Sequence, residues 1–165
     1  MPSVVSRTDS GRNLYATVSG AVVAVEAMLA DATSKLRGRV TVEGRSIAKL
    51  FDSEQRATHG LAWLATYVEA IRQLANYADR LAKMGRLGEV EELIVRIGIG
   101  EYLAQIHGGI SMSQGEIVRL GDLWLSPAEI AHRWSPSLDG LIATGNTAVN
   151  RARLADLIRV HRSMS

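Results

Sequence analysis

The chain has no cysteine among its 165 residues. Disulfides, zinc–thiolate sites and thiol catalysis are therefore excluded, and the absence suits a cytoplasmic protein. Neither sign of charge dominates: 19 basic and 17 acidic residues leave a net charge of +2. That is too little to point to nucleic acid, although the pI is near 9.2. Lysine occurs only at Lys35, Lys49 and Lys83, so the basic residues are mostly arginine. With much alanine and glycine, this composition suits a GC-rich bacterial genome. No run of ~18 uninterrupted apolar residues is present, so no membrane partner is expected. Residues 1–20 carry no apolar core after a basic start, which argues against a secretory leader. Internal repeats, low-complexity tracts and charge blocks are also missing.

What is present is an apolar fraction of 47%, enough for a core. It is patterned most clearly between Leu50 and Met84, where two apolar stripes run along one helix. The first is Leu50, Ala57, Leu61, Leu64, Val68, Ile71, Ala75, Ala78 and Ala82; the second is Trp63, Tyr67, Ala70, Leu74, Tyr77, Leu81 and Met84. Both step by three and four residues. A helix with two stripes must be covered on two sides, so the pattern predicts a bundle around a central rod.

The expected fold is all-α: three main helices over about 10–37, 47–84 and 89–107, plus short C-terminal helices. Residues 1–9 are expected to be a flexible N-terminus and 10–165 a single helical-bundle domain. The first helix has the stripe Leu14, Val18, Val22, Val25, Leu29, Ala32, Leu36 and ends at Gly38. Residues 38–46 read as an extended connector, because Val40-Thr41-Val42 has no evident partner strand. The long helix starts near Ser46 or at a break around Asp52. The tight Gly85–Gly88 turn makes the next helix an antiparallel neighbour. That helix is apolar almost all round, with a track of Gly98, Gly100, Ala104 and Gly108 that would let another backbone approach closely. Residues 109–126 read as a connector, with a short helical turn at Gln114 to Leu120. Ser126-Pro127-Ala128-Glu129 is a strong helix start, Ser135-Pro136 a second, and the last helix runs from Thr147 to about Arg162 with Leu154, Leu157, Ile158 and His161 on one side.

No catalytic constellation stands out. Gly98-x-Gly100 lacks the third glycine of a dinucleotide fingerprint, and no strand precedes it. Glu129-x-x-His132 is a single motif where a di-metal bundle needs two, and Glu129 already serves the capping box. His107 sits at a helix C-terminus, where the dipole favours it. Ser111, Ser113 and Glu116 beside His107 lack a nucleophile elbow, and Ser113-x-x-Glu116 reads more simply as a capping box. No catalytic, cofactor or metal residue is assigned. Glu54, His59, Glu69, Glu101 and Gln105 are polar groups in the most apolar part of the chain. If buried, they must be hydrogen-bonded. Glu54, His59, Trp63, Tyr67, Glu101 and Gln105 are thus the candidates for a polar network or for contact with another domain. Trp63 reads as core; Trp124 and Trp134 lie where an interface would use aromatics.

Four segments carry a resemblance: Phe51-Asp52-Ser53-Glu54-Gln55, the run from His59 to Ala70, Gly100 to Ile106, and Met112 to Arg119. Gly145-Asn146-Thr147-x-x-Asn150-Arg151-Ala152-Arg153-Leu154 adds a fifth. They resemble the N-terminal extension of a bacterial subgroup of acyl-CoA dehydrogenases, the branch of the ethylmalonyl-CoA pathway. The likeness covers nearly everything beyond residue 35. It implies a non-catalytic module of a cytoplasmic FAD enzyme that oxidises an acyl-CoA to the enoyl-CoA. The implied partners are the parent's own dehydrogenase core, further copies of the parent, and electron-transferring flavoprotein. No residue here matches the family's base or flavin motifs, so FAD is implied for the parent and not for this chain. The competing reading is a free-standing helical module that dimerises through its apolar faces.

Overall fold

The computed structural model describes residues 7–163, with side chains over 14–160. The expected flexible segment 1–9 lies outside them up to residue 6, and the side chain of His161 also falls outside. The first helix, α1, already begins at Arg7 and runs to Val40. A hairpin of β1 (Thr41–Val42) and β2 (Arg45–Ser46) follows. Then come α2 (Ala48–Ser53), α3 (Gln55–Lys83) and α4 (Glu89–Gly108). A second hairpin, β3 (Ile110–Ser113) and β4 (Glu116–Val118), precedes a 3-10 turn at Leu120–Leu123. Three shorter helices close the chain: α5 (Pro127–Arg133), α6 (Pro136–Thr144) and α7 (Ala148–Ser163). The fold is all-α apart from the two small hairpins.

The core follows the patterning. Along α1, Leu14, Val18, Ala21, Val25, Met28 and Ala32 are buried, facing α3. From α3 the first stripe supplies Leu64, Val68, Ile71, Ala75 and Ala78, all buried. The second stripe is covered only in part, by α4, and Met84 at its end is 61% exposed. On its other side α4 packs against α6 and α7. Its expected all-round burial is incomplete: Leu93, Val95, Ile99, Leu103 and Ile106 are buried, whereas Ile94 is exposed. Among the described residues one helical stretch, Leu14–Val40 of α1, is long and apolar enough to cross a membrane; its inner stripe is spent on α3.

Four expectations are corrected. Gly38 does not end α1, because Leu36 and Val40 are buried with Ala57 in a satellite cluster. That burial outweighs the ~1 kcal/mol glycine costs inside a helix, and Thr41 Oγ1 caps the Arg37 carbonyl at 2.7 Å. The connector 38–46 finds its partner strand locally, through a two-residue turn in which Glu43 (φ 48°) and Gly44 (φ 78°) both adopt the left-handed region. The helix expected over 47–84 is broken at Glu54, whose φ of −109° and ψ of 19° leave the helical region. The expected turn at Gln114–Leu120 is instead the β3–β4 hairpin. Its alternation is plain: Ile110 and Met112 face in, Ser111 and Ser113 face out. Ser113 pairs with Glu116 across that turn and does not cap a helix. The Ser126 capping box forms as expected.

Candidate functional site

Five of the six candidate polar and aromatic residues assemble into one line across α3 and α4. It starts at His59, whose Nε2 accepts from Trp63 Nε1 at 3.0 Å. Trp63 meets Tyr67 edge-on with ring centroids 6.3 Å apart, and Tyr67 meets Tyr102 of α4 at 5.0 Å. Residues 59, 63 and 67 are four apart, so α3 stacks them on one face. The Tyr67 hydroxyl donates to Gln105 Oε1 at 2.6 Å, and Gln105 Nε2 donates to Glu101 Oε1 at 2.6 Å. Glu101 and Gln105 are likewise one turn apart on α4. The line then leaves the helices. Asn146, between α6 and α7, donates to Glu101 Oε2 at 2.5 Å. Arg151 Nη1 donates to Asn146 Oδ1 at 2.6 Å and to its carbonyl at 2.9 Å.

From Tyr67 onward the donors point toward the Glu101 carboxylate, Tyr67 through Gln105 from one side and Arg151 through Asn146 from the other, whereas Trp63 donates outward to His59. Such a chain polarises each bond along it. Burial, then the neighbouring Tyr102 and Glu101, raise the Tyr67 phenol above its ordinary value. No polar side chain is fully buried among the described residues, and no buried side-chain nitrogen or oxygen lacks a hydrogen-bond partner. The line is a half-buried seam between α3, α4 and α7.

The same joint explains the Gly145–Arg153 segment residue by residue. A Cβ placed on Gly100 would lie 2.9 Å from the Leu141 carbonyl oxygen and 3.0 Å from the Asn146 nitrogen and Gly145 Cα. Backbone thus meets backbone where α4 crosses the end of α6, as the small-residue track predicted for Gly100; Gly108, by contrast, meets nothing within 4 Å. Thr147 Oγ1 accepts from the Asn150 amide at 3.1 Å, capping α7. Asn150 Nδ2 donates to the carbonyls of Thr144 and Gly145, both at 2.7 Å, satisfying the end of α6. Arg153 forks onto Glu89 at the start of α4 at 2.7 and 2.9 Å. Sequence reasoning missed Asn146, Asn150 and Arg151 as network members; their signal was the dense run of Gly, Asn and Arg at a helix junction.

Glu54 stands apart, at the α2–α3 break. Its Oε1 accepts from Arg39 Nε at 2.6 Å and its Oε2 from Trp124 Nε1 at 3.0 Å. The Arg39 guanidinium lies 3.6 Å over the Trp124 ring. Trp124 has φ of 66°, uncommon for a bulky residue. One carboxylate thus ties the end of α1, the helix break and the 3-10 turn together.

The remaining candidates do not converge. Glu69 pairs with Arg72 and Gln73 on the α3 surface. His107 stacks on Trp134 at 4.6 Å, and Ser113 is held by Glu116. Glu129 accepts from Lys35 at 2.8 Å and from Ser126, which lowers its carboxyl to about 2. His132 is exposed beside it. No group of three or more potential metal ligands occurs among the described residues. The pair Gly98 and Gly100 is filled by Leu74 and by the α6 end, so it offers no opening to a phosphate.

No family model matches the chain. It is similar to (2S)-methylsuccinyl-CoA dehydrogenase of Cereibacter sphaeroides, at 46% identity over 150 residues. That match takes in 89% of this chain and 26% of the relative, so the chain spans about a quarter of that protein's length. The resemblance drawn from the five segments is borne out: the chain is related to an acyl-CoA dehydrogenase along nearly all of its length, as an N-terminal fragment of one would be.

Proposed function

We propose that the chain is the non-catalytic N-terminal helical domain of a larger FAD-dependent acyl-CoA dehydrogenase. The parent would oxidise an acyl-CoA of the methylsuccinyl-CoA type to the enoyl-CoA. The observation that carries this reading is the match itself, nearly complete on this chain and about a quarter of the relative. The polar seam supports it. Tyr67, Gln105, Glu101, Asn146 and Arg151 are committed to one another, which suits a structural joint better than a reacting site. The glycine pair Gly98 and Gly100 is packed by protein and faces no open phosphate site, which supports placing the flavin elsewhere in the parent. Flavin and catalytic base would be held by the rest of the parent, and this domain would brace that body.

The test is a joined protein in which this chain replaces the matching quarter of the Cereibacter relative. Flavin-dependent oxidation of methylsuccinyl-CoA by the joined protein, with a colourless and inactive isolated chain, is the expected result. Stoichiometric flavin on the isolated chain, or acyl-CoA oxidation by it alone, would overturn the non-catalytic role. A tight dimer of the isolated chain, with no function in the joined protein, would favour the free-standing dimerising module instead.

A further inference from the structure

The outer side of α1 carries exposed apolar side chains that no other described element covers. Its inner stripe is packed on α3, yet Tyr15 is 40% exposed, Val23 67%, and Ala30 is also exposed. No charged residue lies between Leu14 and Val25. Next to this strip an open groove of about 410 Å³ runs between α1 and α3. Its floor includes Leu29, Ala30 and the fully buried Val68; its rim carries Glu26, Arg37 and Arg72. Arg72 is neutralised by Glu26 at 3.5 Å and by Glu69. The Arg37 guanidinium has no side-chain partner among the described residues. Thr33 and Ser34 complete the lining, so the groove offers apolar side chains, two small hydroxyls and one uncompensated cation, Arg37.

We infer that this strip and groove are the seat of an apolar helix from the catalytic body of the parent dehydrogenase, with a carboxylate where it passes Arg37. The inference rests on the function proposed above and names the surface that function would use. Area decides between a linked body and a second copy. From Tyr15 to Arg37 is 22 residues, about 33 Å long at ~1.5 Å per residue and ~10 Å wide, so about 660 Å² would be buried counting both sides. A stable free-standing interface needs roughly 1,200–2,000 Å². Interdomain contacts within one chain start near 600 Å², because the connection supplies a high effective concentration. Charge points the same way: two copies would bring two Arg37 ends or an unpaired Arg37 into contact, whereas an acidic helix end satisfies it.

The missing cysteines make the test direct, since any introduced thiol is unique within this chain. Val23→Cys and Ala30→Cys probe the strip; Val149→Cys, at a site 77% exposed on α7, is the control. Each is labelled with a maleimide in the isolated chain and in the joined protein, and read by mass spectrometry of its peptide. The Val23→Cys and Ala30→Cys thiols should label rapidly in the isolated chain and about tenfold or more slowly in the joined protein, as cover that opens only transiently requires. Adding Arg37→Glu should restore part of the labelling rate of the Ala30→Cys thiol. Slowing of the Val149→Cys thiol alone would refute this surface while leaving the domain reading intact. Unslowed thiols on both surfaces, in a joined protein as active without this piece, would sink both. Slow labelling of the isolated chain only at high concentration, or only with phosphatidylglycerol vesicles, would assign the strip to a second copy or a membrane and overturn the inference.

Discussion

Two alanine substitutions only two residues apart in α4 should have very different effects. Gly98 and Gly100 both lie inside α4, so each gains ~1 kcal/mol of helix propensity on becoming alanine. Their surroundings differ. A Cβ on Gly98 would lie 2.8 Å from Leu74 Cδ1, the tip of a flexible, half-buried side chain that can change rotamer. A Cβ on Gly100 meets the Leu141 carbonyl, the Asn146 amide nitrogen and the Gly145 Cα at 2.9–3.0 Å. All three are backbone, and that backbone is pinned by Asn150 and Glu101. Overpacking of this kind costs ~3 kcal/mol at the upper end of its usual range, so Gly100→Ala should lose about 2 kcal/mol net of the propensity gain. For a chain of this size that is a fall of roughly 4–8 °C in Tm. Gly98→Ala should stay within about 1 kcal/mol of the parent, on either side. Thermal melts followed by circular dichroism, with urea titrations for the free energies, measure both. A Gly100→Ala protein as stable as Gly98→Ala would refute the close crossing of α4 and the α6 end.

Other outcomes follow from the same geometry. Leu64→Ala, in the fully buried stripe, should cost ~2–5 kcal/mol, while Tyr67→Phe should cost only ~0.5–1.5 kcal/mol; chemical denaturation separates them, and a larger loss for Tyr67→Phe would mean the seam is far drier than its exposure implies. The Tyr67 phenol is raised by burial first, so the folded chain holds its proton longer than the unfolded chain. Stability from this group should be constant below its ordinary value of 10.0 and fall as pH rises past it; ultraviolet titration against Tyr67→Phe reports the ionisation. Glu129 behaves oppositely, its carboxyl lowered to about 2 chiefly by the hydrogen bond from Lys35, then by Ser126. Its contribution is present above the ordinary 4.5 and is lost as pH falls through about 2. Lys35→Met should move the carboxyl midpoint upward in an NMR titration, and an unmoved midpoint would leave the ion pair without effect. Asn150→Ala removes the donor to two α6 carbonyls and should cost about 1–2 kcal/mol.

The three large helices were legible because burial imposes a period on the chain. The first stripe of α3 and the inner face of α1 recur every three or four residues, and tertiary packing obeys that spacing. Helix starts with a chemical signature, Ser126-Pro127 above all, were legible for the same reason: the partners of the cap lie within four residues. Features whose cause is distant were not. Nothing local to Gly38 announces that Leu36 and Val40 will be buried with Ala57, and nothing local to Glu54 announces Arg39 and Trp124. The hairpins were missed for a different reason. Strands of two to four residues give too few alternations to outweigh a connector reading, and the first turn places Glu43 as well as Gly44 in the left-handed region.

The α4–α6–α7 joint shows what the resemblance held without stating it. The segment from Gly145 to Arg153 matched a family pattern as a string, yet each residue's duty is set by something 40 or more positions away or by a helix end. Gly145 is small because a Cβ there would run into the Arg96 and Leu141 carbonyl oxygens and then the Gly100 Cα. Asn146 bridges because Glu101 needs a second donor once Gln105 has taken the first oxygen. Arg151 holds Asn146 in that orientation, and Arg153 ties the next turn of α7 to Glu89. These duties are mutually dependent. A side chain on Gly145 would push α6 off α4, lengthen the Asn146–Glu101 bond and leave the Glu101 carboxylate half-satisfied in a half-buried seam. Partly satisfied networks of that kind are costlier than either a complete one or an apolar contact. The joint therefore fixes the α6–α7 turn against α4 as a unit, which lets α7, with no buried residue among its described side chains, hold a defined direction.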